Sequence, residues 1–509
     1  MNALAVLYGG SLSEAAFDHV FSGRNALDLA LEKAGAFPGV EKTILLTGEG
    51  FERQGSSVVP GRGNFELCTR PVWTKKVLLD TLADIARGFD LTYFAWADCP
   101  LLDPVLAGTI KERHIRYGAE YSYADGWPYG LAPELLAPGT AAILSKILGD
   151  SDDPLERDAV FSVIQRDVNS FDIETEISPV DLRHYRLNLT ADSKRNLLLL
   201  TRLVSAGLSG ARGVEGILAE NPGFLRTLPN FYPIQVSGPC PQECELCPYP
   251  RLGPREGFLD VPQFESLLEK ILDFSGDAVI DLSLWGELAL HPQKEELIRL
   301  VLDRPGLSLV IETSGIGWKP EDLEALATEA ARAKKRKAPM SPLSWIISLD
   351  AQDPEQYRKI RGSGYTEAVE CAKKLVSLFP RDAYVQAVRI KGFEDDIEGF
   401  YRFWKDAGAQ IIIQKYDSFC GFLPDLRASD LSPIRRRPCW HLMRDMAILL
   451  DGTVPLCREE LSGGRILGNA FREPLELLWS RGEKFYREQC IPEYSGLCVE
   501  CDEYYTYNF

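Results

Sequence analysis

No run of about 18 apolar residues occurs, the length a helix needs to cross a bilayer, so no membrane span is expected. The start, "MNALAVLYGG", lacks a basic stretch and reaches glycine too early for a secretory signal. It reads as a first buried strand of a cytoplasmic protein. In that reducing compartment the 12 cysteines are expected as thiols or metal ligands rather than disulfides, and "NLT" at Asn188 is a coincidental sequon. Positive charge is in deficit. The formal net charge of -18 argues against nonspecific binding to nucleic acid or to an anionic membrane. No internal repeat of fixed period is present, and 509 residues are too many for one core, so two to four domains are expected.

What the chain does have is alternation. Residues 1–206 alternate short apolar runs ("ALAVLY", "KTILLTG", "LTYFAWADCPLLD") with amphipathic ones ("NALDLALEKAG", "KKVLLDTLADIARG"), the pattern of strands joined by crossover helices in an open α/β sheet. "HYRLNLTADSKRNLLLLTRLVSAG" reads as a last strand passing into a long helix with Thr190 as its N-cap. Residues 207–230, rich in glycine and proline, read as a linker.

A second alternating series fills residues 231–424. Its strand candidates are Tyr232–Ser237, Ala278–Leu284, Ser308–Thr313, Ser344–Asp350, Tyr384–Ile390 and Gln410–Tyr416, which predicts a partial (β/α)6 barrel with its chemistry on loops after the strands. Between two of these units "RAKKRK", Arg332–Lys337, reads as a solvated loop. Residues 425–509 form a loop-rich tail containing five cysteines.

The stretch "SGPCPQECELCPYP" places Cys240, Cys244 and Cys247 in one loop after the first of those strands. Soft thiolates favour zinc, Cu(I) or iron-sulfur clusters, and a structural zinc site wants four closed ligands where this loop supplies three. A four-iron cluster held by three thiolates leaves one iron open. The C-x3-C-x2-C spacing resembles the core motif of the radical S-adenosylmethionine (SAM) superfamily, although Leu246 stands where an aromatic residue often precedes the third cysteine. The resemblance implies a [4Fe-4S] cluster whose open iron chelates SAM, cleavage to a 5'-deoxyadenosyl radical, and a strong reductant of the ferredoxin or flavodoxin type as electron donor. "LSLWGELALHP", "IETSG" and "ISLDAQDPEQYRKIRG" resemble later strand ends of that family. By that likeness Gly286 and Glu287 would meet the SAM ammonium, Ser348 would contact SAM, Asp350 and Arg361 would shape its site, and Thr313 would face SAM or substrate. His291 reads as a loop residue rather than a base.

In the tail, "CWHLMRDMAILLDGTVPLC", "ILGNAFREPLELLWS" and "CVEC" resemble a SPASM or twitch domain. The implied ligands of one auxiliary [4Fe-4S] cluster are Cys439, Cys457, Cys498 and Cys501, with Cys490 read as a buried thiol. Cys420 is left open between substrate and cluster. Cys68, Cys99 and Cys371 read as structural. "ALAVLYGGS" and "AWADCPLLDP" resemble sugar-nucleotide nucleotidyltransferases, which implies that Asp98 holds a metal bridging nucleotide phosphates, with Asn188 where a second metal aspartate would stand. "YGGSLSEAAFDHV" lacks the basic residue that family carries after its glycines and Asn188 is uncharged, departures that imply a kept fold with lost or altered activity. The whole arrangement resembles the spiro-SPASM family. A radical SAM enzyme acting on an unknown substrate, a peptide by analogy, is therefore expected. Two alternatives stand beside it: a nucleotidyltransferase of sugar-nucleotide or envelope precursor metabolism, and a zinc-stabilised binding protein without catalysis.

Overall fold

The alternating runs become two sheets, one in each of two units, Met1–Thr227 and Leu228–Phe509. The computed structural model describes residues 1–51, 65–252, 256–336, 340–429 and 432–505. The fold is mixed α/β, and no helix among the described residues is long and apolar enough to cross a membrane.

The first unit is built on seven strands: β1 Ala3–Tyr8, β2 Val40–Gly48, β3 Phe65–Arg70, β4 Leu91–Trp96, β5 Tyr121–Asp125, β6 Glu134–Leu136 and β7 Ile173–Ile177. Their order is β3-β2-β1-β4-β6-β5-β7, with β6 antiparallel to both neighbours and the other pairs parallel. All six residues of β1 and of β4 are buried, as strands covered on both faces require, and their apolar runs are accordingly continuous. The helix Pro104–Tyr117 shows how locally the ends are written. Asp103 accepts from the backbone of Val105 and Leu106, Pro104 presets the first turn, and Gly118 closes the helix at φ +64.

Two local readings change here. The helix Lys194–Ser205 is capped by Ser193, which accepts from Asn196 N, and not by Thr190. The segment expected as a linker, 207–230, carries the helix Val214–Glu220, and Leu208, Ala211, Val214 and Leu218 lie in the first unit's core. The reason sits at Gly210: a Cβ there would come within 2.7 Å of the Asp103 carboxylate, which accepts from Ala211 N at 2.7 Å. Glycine lets the chain close on that cap.

The second unit holds β8 Phe231–Pro233, β9 Ala278–Asp281, β10 Leu307–Thr313, β11 Leu343–Ser348, β12 Ala383–Arg389 and β13 Gln410–Lys415. They pair in sequence order and all in parallel, with helices between them, so the six expected β-α units form as read. Leu309, Ile311, Trp345, Ile347, Val385 and Ala387 join the helices in one core, and the alternate residues face the other way, onto what is called here the inner face. A small antiparallel pair, β14 Thr453–Pro455 and β15 Ile466–Asn469, belongs to the tail. The tail is not a satellite. Its segment around Met446–Ile448 bonds to Phe231, Pro233 and Gln235 along β8, and Leu442, Ile448 and Val454 share the sheet's core.

The basic run also departs from its reading. Arg336 is buried and donates to the carbonyls of Val301 and Leu302 at a helix C-terminus, to Leu307 O at the start of β10, and to Lys334 O. Last-turn carbonyls lack helical partners, so a cation is favoured there. Lys337 lies outside the described residues. Arg336→Ala should cost about 2 kcal/mol, the usual loss when buried acceptors are left unpaired. A urea midpoint indistinguishable from that of the unsubstituted protein would contradict the cap.

Candidate functional site

Cys240, Cys244 and Cys247 lie in the loop that follows β8; the Cys244 charge bears on Cys240, and both bear on Cys247. Burial raises all three, Cys240 to about 11 and Cys247 to about 12. The loop is built from behind. Tyr249 OH donates to Gly238 O at 2.8 Å, and Gln235 Nε2 donates to that hydroxyl at 3.1 Å. Gly286, at φ +72, passes so close that a Cβ would stand 1.9 Å from Ser237 O, so this position has room for glycine alone. Glu287 N then donates to Pro239 O, fastening the turn after β9 to the cysteine loop.

From the other side comes Arg361. Its Nε donates to Gln242 Oε1 at 3.1 Å and its Nη1 to Asp350 Oδ2 at 2.5 Å, while Asp350 Oδ1 accepts from Val388 N at 2.8 Å. Gln242 in turn donates to Tyr357 OH at 2.7 Å and accepts from the Cys244 thiol at 3.7 Å. Burial works against the Arg361 charge, but Cys244 and Asp350 outweigh it and hold the guanidinium protonated. The same charge favours the thiolate of Cys244 against burial. Asp350 and Arg361, each expected to shape one site, bond directly to each other.

Glu287 and Thr313 have other duties than the sequence suggested. The Glu287 carboxylate accepts four protein bonds, from Ala289 N, Thr313 Oγ1, Ser314 N and Ser314 Oγ at 2.7–3.2 Å, and burial raises its pKa. Thr313 Oγ1 also accepts from Trp318 Nε1 at 2.9 Å and Gly315 N at 3.1 Å. Both side chains are committed to joining two loops, on the helix side of the sheet.

The inner-face residue at that strand end is Glu312, which sequence reading passed over. Ser348 Oγ donates to Glu312 Oε1 at 2.6 Å, and Gln386 Nε2 donates to the same oxygen at 2.8 Å and to Ser348 Oγ at 3.1 Å. Asp281, at the end of β9, has its carboxyl pushed up to about 7, chiefly by burial and further by Glu312. Strict alternation along β10 could have flagged Glu312 as the polar residue opposite Ile311 and Thr313. His291 is structural, as read: Nδ1 accepts from Gln293 N, so Nε2–H donates to Leu259 O.

The tail gathers a second set. Cys439, Cys457, Cys498 and Cys501 line one cavity, with Arg436, Arg458 and Glu459 among its other walls. Cys457 lies two residues past β14, and in the turn before that strand Gly452, at φ +83, has Phe471 packed where a Cβ would be. Cys439 N donates to Gln489 Oε1, and Arg465 Nη1 approaches Cys498 Sγ at 3.8 Å. Cys420 stands outside the cavity's lining and hydrogen-bonds to Cys501, which raises the Cys420 thiol and lowers that of Cys501. Cys490 does not line the cavity. The donor sets therefore differ in kind, three thiols beside a buried arginine and four around one space, and both fit soft iron-sulfur chemistry.

In the first unit Asp98 is buried, and its partner carboxylate is Asp192 rather than anything at Asn188. Arg157 joins the two, donating from Nη1 to Asp98 Oδ1 at 3.1 Å and from Nη2 to Asp98 Oδ2 at 2.6 Å and Asp192 Oδ2 at 3.1 Å.

No profile of a known protein family matches the chain. A protein of Treponema pallidum (strain Nichols), described as uncharacterized, is 38% identical over 359 residues, which are 69% of this chain and 98% of the relative. A second uncharacterized protein of the same organism is 42% identical over 55 residues, 11% of this chain and 25% of that one. Among solved structures, Streptococcus suis SuiB bound to its precursor peptide SuiA shares 15% identity at a TM-score of 0.42, covering 68% of this chain and 82% of SuiB. A cytidylyltransferase from Leptospira borgpetersenii shares 18% at a TM-score of 0.35, covering 44% of this chain and 95% of that enzyme. At TM-scores below 0.5 these likenesses assign no chemistry here.

Asp281 gives a pH test. An unfolded aspartate titrates near ~3.9, so a folded value of about 7 means that the folded state binds the proton more tightly. The linked stability is complete below about pH 4 and is lost as pH rises through about 7. Asp281→Asn should flatten the decline of the urea midpoint across that window. An unaltered slope would rule out a protonated Asp281.

Proposed function

We propose that this chain, which belongs to the same protein family as its Treponema pallidum relative, is a radical SAM enzyme with one closed auxiliary cluster. The observation that carries the reading is the contrast between the two thiol sets: three in a loop at the ends of parallel strands, braced by Arg361, and four around a single cavity. Cys240, Cys244 and Cys247 would hold a [4Fe-4S] cluster that supplies the open iron for SAM and the electron that yields a 5'-deoxyadenosyl radical.

The chain's own residues have separable tasks. Arg361 and Asp350 fix the cysteine loop against the ends of β11 and β12, and Gln242 transmits that constraint to Cys244. Gly286 keeps the backbone turn after β9 within reach of the loop, where its carbonyls serve an ammonium group better than the fully committed Glu287 carboxylate. Glu312, held by Ser348 and Gln386, presents an acceptor to hydroxyl or amino groups on the inner face. Cys439, Cys457, Cys498 and Cys501 would close a second [4Fe-4S] cluster that carries electrons or orients substrate, with a ferredoxin or flavodoxin type donor supplying reducing power. A peptide substrate rests on analogy with related SPASM proteins.

Anaerobic reconstitution with iron and sulfide should load about eight irons per chain and release 5'-deoxyadenosine from SAM under strong reduction. Cys244→Ala should abolish that release and leave roughly four irons. Zinc without iron, or a loaded protein that leaves SAM intact, would sink the proposal.

A further inference from the structure

The first unit brings two buried carboxylates to one point from two different loops. Asp98 follows β4, and Asp192 sits just before the helix Lys194–Ser205. Backbone bonds hold both ends in place: Ala97 N donates to Tyr8 O, and Ala191 N donates to Asp98 O at 2.8 Å. Two carboxylates so placed repel each other, and burial prevents water from screening them. Something positive must lie between them. In sites that handle phosphate the usual answer is a divalent cation on oxygen ligands.

Here the answer is a side chain. Arg157 reaches in from the loop that precedes the helix Phe161–Ile164 and spends three donor contacts on the pair. The carboxylate oxygens are otherwise engaged as well. Asp98 Oδ1 also accepts from the Cys99 thiol at 3.7 Å, and Asp192 Oδ1 accepts from Asn196 Nδ2 at 2.8 Å. The guanidinium is clamped between rings, 4.8 Å from the centroid of Trp96 and 5.4 Å from that of Tyr129. A planar fork suits this bidentate, ring-stacked geometry in a way that a hydrated magnesium ion does not.

We propose that Arg157 is a built-in replacement for the divalent cation, so that the first unit takes no metal at Asp98 and Asp192. The ring-clamped guanidinium makes the paired carboxylates a structural tie and removes the means of metal-assisted nucleotidyl transfer from this unit. Removing the guanidinium should leave two buried carboxylates facing one another, hard ligands that suit Mg2+ or Mn2+. This inference is independent of the thiol sets in the second unit and survives whatever becomes of them.

The test uses the full chain titrated with Mn2+, the free ion being followed by electron paramagnetic resonance. The unsubstituted protein and Asp98→Asn should bind the same number of Mn2+ ions. Arg157→Gln should bind one more than either, and that extra ion should vanish in the Arg157→Gln, Asp98→Asn double variant. Arg157→Gln should also melt lower than the unsubstituted protein, with added Mn2+ raising its Tm while leaving that of the unsubstituted protein unmoved. The proposal is overturned if Asp98→Asn removes a Mn2+ ion from the otherwise unsubstituted chain, or if a folded Arg157→Gln gains none. Should Arg157→Gln fail to fold, the comparison of the unsubstituted protein with Asp98→Asn and Asp192→Asn still decides the matter.

Discussion

The buried ion pair of Asp350 and Arg361 is the constraint on which the second unit's chemistry depends. Asp350 sits at φ +64, a conformation that costs a non-glycine residue, and it is held there by Arg361 on one oxygen and Val388 N on the other. Through Gln242 the same arginine reaches the cysteine loop. Three sequence-distant pieces, the loop after β8, the end of β11 and the β12 strand, are thereby referred to a single guanidinium. A buried pair of this kind owes its value to the satisfaction of every partner, since either member alone would be an uncompensated charge.

The two units solve a similar electrostatic problem differently. In the first, one arginine neutralises two carboxylates and completes the arrangement. In the second, Arg361 faces one carboxylate and three thiols, so its charge leaves room for further negative groups. Around the four tail thiols both signs crowd together, with Arg458 bonded to Glu459 and Asp417, and Lys415 bonded to Asp502 and Glu503. That web joins the end of β13 to the tail and sets Arg458, Glu459 and Glu503 in the wall of the four-thiol cavity.

Much of this was legible in the residues. The strands of the second sheet announced themselves because each is a short apolar run ended by polar loop residues, and the cysteine spacings set the two thiol groups apart. Asp350 and Arg361 both stand out in the chain, but their pairing with each other does not. What stayed hidden depended on partners distant in sequence. Alternation along β10 sets Glu312 on the inner face, but its partners Ser348 and Gln386 are supplied by register with neighbouring strands, which no local pattern reveals. Arg157 lies in an unremarkable acidic loop, and its role exists only once Asp98 and Asp192 have converged. Arg336 read as one more solvated cation because the carbonyls it caps belong to a helix more than thirty positions earlier. Glycine content misled in the 207–230 segment, where Gly210 serves a close approach and not slack.

The pairing of Met446–Ile448 with β8 has a consequence for how the molecule is made. The strand that leads into the first cysteine loop is the sheet's edge, and the backbone that covers it is synthesised some two hundred residues later. Contacts of such long sequence separation form late, and an uncovered strand edge is a hazard while it waits. Because the loop bearing Cys240, Cys244 and Cys247 grows out of that same strand, its final shape waits on the arrival of Met446–Ile448. The order in which the chain is made thereby sets the order in which that loop and its thiols can take their final places.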